Sequence, residues 1–203
     1  MIDFLMVSTR IRNKVTEIYP KFIIKRSSDL MIRGGDFYAI WIEEIGLWST
    51  DEQDALQLID RELDKYYEEN NSRFDGPTKI LHMWDAESGM IDSWHKYCQK
   101  QMRDSFQMLD EKLIFSNMVT TKKDYASKRL SYPLEPGDIS SYEELMSTIY
   151  SKEERHKIEW AIGSIVSGDS KKIQKFLVLY GSAGTGKSTI LNIIQQLFDG
   201  YYS

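Results

Sequence analysis

The stretch Gly181-Ser-Ala-Gly-Thr-Gly-Lys-Ser188 constrains this chain more than any other, because it is a complete G-x-x-x-x-G-K-[ST] phosphate loop. The apolar run Phe176-Leu-Val-Leu-Tyr180 before it reads as a buried strand, and Thr189 to Leu197 after it reads as a helix. In that order, successive backbone N–H groups converge on phosphate oxygens and the helix N-terminus adds positive dipole at the same spot. The pattern makes Gly181, Ser182, Ala183, Gly184, Thr185, Gly186, Lys187, Ser188 and Thr189 the expected ligands of ATP. Lys187 is the expected catalytic cation, reaching the β- and γ-phosphates, and the Ser188 hydroxyl is the expected Mg²⁺ ligand.

Ser188 stands close to residue 203, the last of the chain. A parallel sheet needs further strand–helix units to cover its faces, and the acidic residue that completes Mg²⁺ coordination normally comes from a later strand. The expectation is therefore an N-terminal portion of a longer protein, cut just after the phosphate loop and inactive as an ATPase on its own.

With 41% hydrophobic and 28% charged residues, the composition suits a globular chain with a core. No apolar run approaches the roughly 18 residues that a membrane span needs, and the first ten residues lack the order of a signal peptide, so a cytoplasmic location is expected. The single cysteine, Cys98, excludes an internal disulfide and any cysteine-based zinc cluster, and reads as a buried or half-buried small side chain. His82, His95 and His156 have no metal-ligand spacing. A net charge of −5 argues against a chain built mainly to coat nucleic acid. The charge is uneven, however. Arg10, Arg12, Lys14, Lys21, Lys25 and Arg26 crowd the first 30 residues, whereas Asp36 to Glu69 is strongly acidic. The basic segment is either a DNA-contacting arm or a solvated stretch.

Along the chain, Lys21 to Lys25 reads as a strand, and Phe37 to Ile42 turns through Glu43-Glu-Ile-Gly46 into Leu47-Trp48 as a hairpin. Ser49-Thr-Asp-Glu52 offers a capping box for a helix running to about Glu69. Lys79 to Trp84 is a strand or a helix start. Ile91 to about Leu109 reads as a helix whose Trp94, Tyr97, Met102, Phe106 and Leu109 belong to a core rather than to a base-stacking platform. Leu113-Ile-Phe115 reads as a short strand and Lys122 to Asp138 as irregular. Ser141-Tyr-Glu-Glu144 and Ser151-Lys-Glu-Glu154 both fit capping boxes, and Gly168 is placed to end the second helix.

The run from Glu153 to Ser188 resembles the start of the helicase domain in phage, plasmid and poxvirus primase-helicases of helicase superfamily 3, which are AAA+ ATPases. There, a helix ending in glycine precedes a polar linker, a strand and the Walker A loop. Gly34-Gly-Asp-Phe-Tyr-Ala-Ile-Trp41 with Leu47-Trp-Ser-Thr-Asp-Glu52 is similar to the poxvirus-type N-terminal domain, and Leu113-Ile-Phe-Ser-Asn117 with Tyr132-Pro133 resembles its closing segment. Family members usually have Asn-Gly where this chain has Asn117-Met118. The charge pattern sets off a basic N-terminal segment over 1–30; the resemblance implies an α+β domain over 31–150, and over 151–203 the first helix, strand, P-loop and helix of an α/β NTPase domain. It further implies a homo-hexamer that hydrolyses ATP, translocates on single-stranded or forked DNA and unwinds it during replication, in the host cytoplasm if viral. Gly181, Gly186, Lys187 and Ser188 match the family's nucleotide ligands. Walker B carboxylates, a sensor residue, an arginine finger and a primase site have no recognisable counterpart. Two other readings stay open: a P-loop NTPase of another class, such as a terminase-like motor or a kinase, and a non-enzymatic adaptor with a vestigial P-loop.

Overall fold

Alternating residues from Leu5 onward build the first element. Leu5–Arg12 (β1) pairs antiparallel with Val15–Phe22 (β2), in register from Leu5↔Phe22 to Arg12↔Val15. The turn between them is Asn13-Lys14, with φ of 51° and 65°, the left-handed pair that a two-residue hairpin turn of matching twist requires. The computed structural model describes residues 2–23, 27–33, 37–101 and 107–201. The strand expected at Lys21 to Lys25 thus starts earlier, at Val15, while Lys25, Arg26, Gly34 and Gly35 lie outside the described residues.

Thr78–Ile80 (β6) joins β2 in parallel, completing a sheet of order β1-β2-β6 and resolving Lys79 to Trp84 as the end of a strand followed by a loop. A second sheet, order β3-β4-β5, contains Leu30–Arg33 (β3), Phe37–Ile42 (β4) and Leu47–Ser49 (β5), all antiparallel, with the expected turn at Glu43 to Gly46. Glu52–Asn70 (α1) follows. Its cap is Asp51, whose carboxylate accepts the Gln53 N–H at 2.9 Å, not Ser49, whose hydroxyl donates to Asp54 instead. Met90–Gln101 (α2) covers the first part of the helix expected to Leu109; Met102 and Phe106 lie outside the described residues.

Two compact units result, Met1–Met108 and Leu109–Ser203. Residues 109–150, grouped by sequence with the N-terminal domain, fall in the second unit. In the first, Phe4, Leu5, Ile40, Leu56, Ile59, Met83 and Trp94 form the core. Trp94 is fully buried among Phe4, Phe22 and Tyr38, at ring-centroid distances of 5.5, 5.2 and 5.3 Å, and its indole N–H donates to the Tyr38 hydroxyl at 3.1 Å. The core reading of Trp94 and Tyr97 holds, as does that of Cys98, whose thiol burial pushes up to about 12. Asp60 is held inside by the Met83 N–H at 2.7 Å, although burial raises its pKa.

The Tyr97 hydroxyl is buried without a hydrogen-bond partner among the described residues, and burial first of all raises it to about 12. An unpaired buried hydroxyl carries a desolvation cost, so Tyr97→Phe is expected to raise the urea midpoint, by about 1 kcal/mol of stability. The neutral phenol is the favoured folded form. Its contribution is complete below an unfolded pKa near 10 and fades as pH rises through about 12, so the variant also loses this alkaline dependence.

The second unit holds Ser140–Ile149 (α3), Lys152–Val166 (α4), the short Ser170–Ile173 (α5) and Lys187–Leu197 (α6) around Met146, Ile158 and Ile190. The capping box at α4 forms as expected: Ser151 Oγ accepts the Glu154 N–H, and the Glu154 carboxylate accepts the Ser151 N–H at 2.9 Å. Gly168 closes that helix at φ 75°, its N–H bonded to Ile165 O. The box at Ser141 does not form, because α3 begins at Ser140 and already includes Ser141, and the Asp138 carboxylate takes the Ser140 N–H. Leu113 to Phe115 is not a strand; only single bonds, Leu130 N–H to Ile114 O and Ser116 N–H to Tyr132 O, tie it to the irregular segment.

Phe176 to Tyr180 corrects the expectation most sharply. It is neither a strand nor buried, with Phe176 88% and Tyr180 98% exposed, and Leu179 alone packs on the core of this unit. Strand composition needs a ladder partner to become a strand, and among the described residues this segment has none. The whole is a mixed α+β fold of small sheets and six α-helices among the described residues. None of these helices is long and apolar enough to cross a membrane.

Candidate phosphate-binding site

Helix α6 is fixed by its apolar stripe, with Ile190 buried and Ile193 and Ile194 packed beside it, so the turn ahead of Lys187 is anchored at its C-terminal side. Gly186 caps the helix at φ 75°. A Cβ there would collide with Ile149 Cγ2, so both backbone angle and space require glycine. The Tyr150 hydroxyl donates to Gly186 O at 3.1 Å, which pins the same peptide from the α3–α4 junction.

Lys187 folds back over the loop. Its ammonium donates to Gly181 O at 2.9 Å, Ser182 O at 2.5 Å and Thr185 Oγ1 at 3.0 Å, while the Thr185 hydroxyl donates to Ser182 O. Gly181 to Gly186 form the loop, and Lys187, Ser188 and Thr189 form the first turn of α6, with Ser188 and Thr189 exposed. The structure thus brings the nine sequence-predicted residues into one loop and helix start. A cleft of about 710 Å³ opens beside them, walled by Ala183 to Thr189 and by Thr148 and Ile149. Among the described residues, none of those lining it carries a carboxylate. A smaller cleft of about 330 Å³, which shares Ile149, Thr185 and Lys187 with it, is walled further by Tyr150, Glu154, Lys157 and Leu177 to Gly181. Glu154 is engaged with Ser151, whose hydrogen bonds hold its carboxyl below the usual range. Among the described residues, no cluster of three or more metal-ligating side chains occurs.

Sequence reasoning missed Thr148, Ile149 and Tyr150. They reach the loop only through tertiary packing, and no local motif marks them beyond the Ser151 cap that fixes where α4 begins. No family model, curated protein or solved structure matches the chain.

The contact at Gly186 has a measurable consequence. Gly186→Ala is expected to destabilise the second unit by about 1–2 kcal/mol from the left-handed backbone alone, with the steric collision added. In an Ile149→Ala background the same change costs less. A double-mutant cycle on thermal midpoints reads that coupling, and strict additivity of the two changes would refute the contact.

Proposed function

We propose that this chain binds Mg²⁺–ATP at the loop Gly181 to Thr189, as the phosphate-binding part of a superfamily 3, primase-helicase-type DNA helicase that works as a homo-hexamer. The observation that carries the reading is Lys187 itself: a primary ammonium held over the loop carbonyls at the start of an eleven-residue helix, beside the exposed Ser188 hydroxyl. That donor set fits a polyphosphate with its magnesium. Gly181 to Gly186 supply backbone amides, Lys187 the cation toward the outer phosphates, and Ser188 the oxygen ligand. Mg²⁺, when bound with the nucleotide, would offset the phosphate charge. The glycine at 186, clamped by Ile149 and Tyr150, holds the loop preformed, which lowers the ordering cost of binding.

The test is a titration of the chain with a fluorescent ATP analogue and Mg²⁺. Saturable binding, displaced by ATP and ADP but poorly by AMP and weakened by EDTA, is the expected outcome. Absence of binding, or equal displacement by AMP, would remove the phosphate-loop reading.

A further inference from the structure

We infer that the outer face of the β1-β2-β6 sheet is a docking surface for single-stranded DNA, at a site separate from the phosphate loop. The register assigns the two faces. Leu5, Ile18 and Phe22 share one, turned toward the core against α1 and α2. Arg10, Arg12, Glu17, Tyr19 and Lys21 share the other, and the β2–β6 register adds Lys79 opposite Glu17. Four cations thus stand against one carboxylate on a single sheet face. Glu17 is tied to Arg10 at 2.7 Å and Lys79 to Asp85 at 3.6 Å, while Arg12, Lys21 and the turn residue Lys14 are exposed. The acidic helix α1 packs on the opposite side, so its charges do not cancel this field locally.

Two further observations select a single strand. The Arg10 guanidinium lies 4.9 Å from the centroid of the half-buried Tyr19 ring, an arrangement in which planar cation and aromatic face offer a stacking platform to an unpaired base. The hairpin also projects beyond the core: Ile11 belongs to the core-side set, yet is 80% exposed at the tip. A base inside a duplex presents no free ring face to Tyr19. A basic sheet face carrying a cation stacked on an aromatic ring suits strands whose bases are splayed. The choice of DNA over RNA rests on the replicative reading above.

The experiment measures anisotropy of a labelled oligo-dT with the 203-residue chain across a salt series, without nucleotide. Arg12→Glu, Lys14→Glu and Lys21→Glu together are expected to weaken binding more than about 10-fold at low salt and to flatten the salt slope by about 2, at roughly 0.7 per lost phosphate contact. Tyr19→Ala is expected to weaken it about 5- to 100-fold, and Tyr19→Phe to leave it within about twofold, because stacking needs the ring and not the hydroxyl. Far-UV circular dichroism checks that each variant is folded. No binding at low salt, or a slope and affinity that neither set of changes moves, overturns the site. Equal affinity for duplex overturns the stacking platform, and tighter binding of oligo-rU overturns the choice of DNA. The Arg12, Lys14 and Lys21 changes are expected to leave binding of the fluorescent ATP analogue unchanged, so failure of the phosphate-loop reading and failure of the sheet face are read separately.

Discussion

Trp94→Ala is expected to cost the first unit about 3–5 kcal/mol. The ring is fully buried and touches Phe4, Phe22, Tyr38 and Tyr97, so truncation leaves a cavity bounded by other aromatics that cannot collapse into it without leaving their rotamers. It also strips the Tyr38 hydroxyl of its donor. Tyr38→Phe breaks the same hydrogen bond from the other partner, leaving the buried indole N–H without its acceptor while the ring packing stays, and should cost about 1–3 kcal/mol. Urea unfolding followed by far-UV circular dichroism distinguishes the two. A loss below 1 kcal/mol for Trp94→Ala would mean that the aromatic cluster is not the centre of the core.

Lys187→Ala is expected to lower affinity for Mg²⁺–ATP about 10- to 100-fold, the range of one lost hydrogen-bonded charge at a phosphate. The same change releases Gly181 O, Ser182 O and Thr185 Oγ1 from the ammonium, so amide exchange should quicken from residues 181 to 186 while α6, anchored by Ile190, stays protected. Ser188→Ala should weaken binding only when Mg²⁺ is present. Unchanged affinity on loss of Lys187 would show that the loop does not hold phosphate through this side chain.

Elements whose signals are local were legible in the residues. The β4–β5 hairpin follows from an aromatic and β-branched run meeting Gly46; α4 follows from Ser151 and Glu154 closing one reciprocal cap, with Gly168 at its end. The β1–β2 hairpin was not legible, because its turn is Asn-Lys and lacks the glycine that usually announces a left-handed pair. The pairing of β6 with β2 is non-local, and three residues carry too little periodicity to reveal it. At α3 two serines and an aspartate compete to cap one helix, and sequence spacing favoured the wrong one. For Phe176 to Tyr180, composition described what the segment would do given a neighbouring strand and said nothing about whether one is there. The loop from Gly181 to Ser188 was readable as a motif, whereas its clamp by Ile149 and Tyr150 is written only in three dimensions.

The register of the β1–β2 ladder is set behind the turn, where Leu5, Ile18 and Phe22 must face the core, since slipping by one residue would turn all three to solvent. Asn13 and Lys14 close the hairpin without fixing it. Extra residues inserted between them lengthen a loop at a logarithmic entropic cost, about 0.6 kcal/mol per doubling, and leave the strands aligned. The tip is thus a natural grafting point, where an epitope or fluorophore rides on the protein without disturbing its interior.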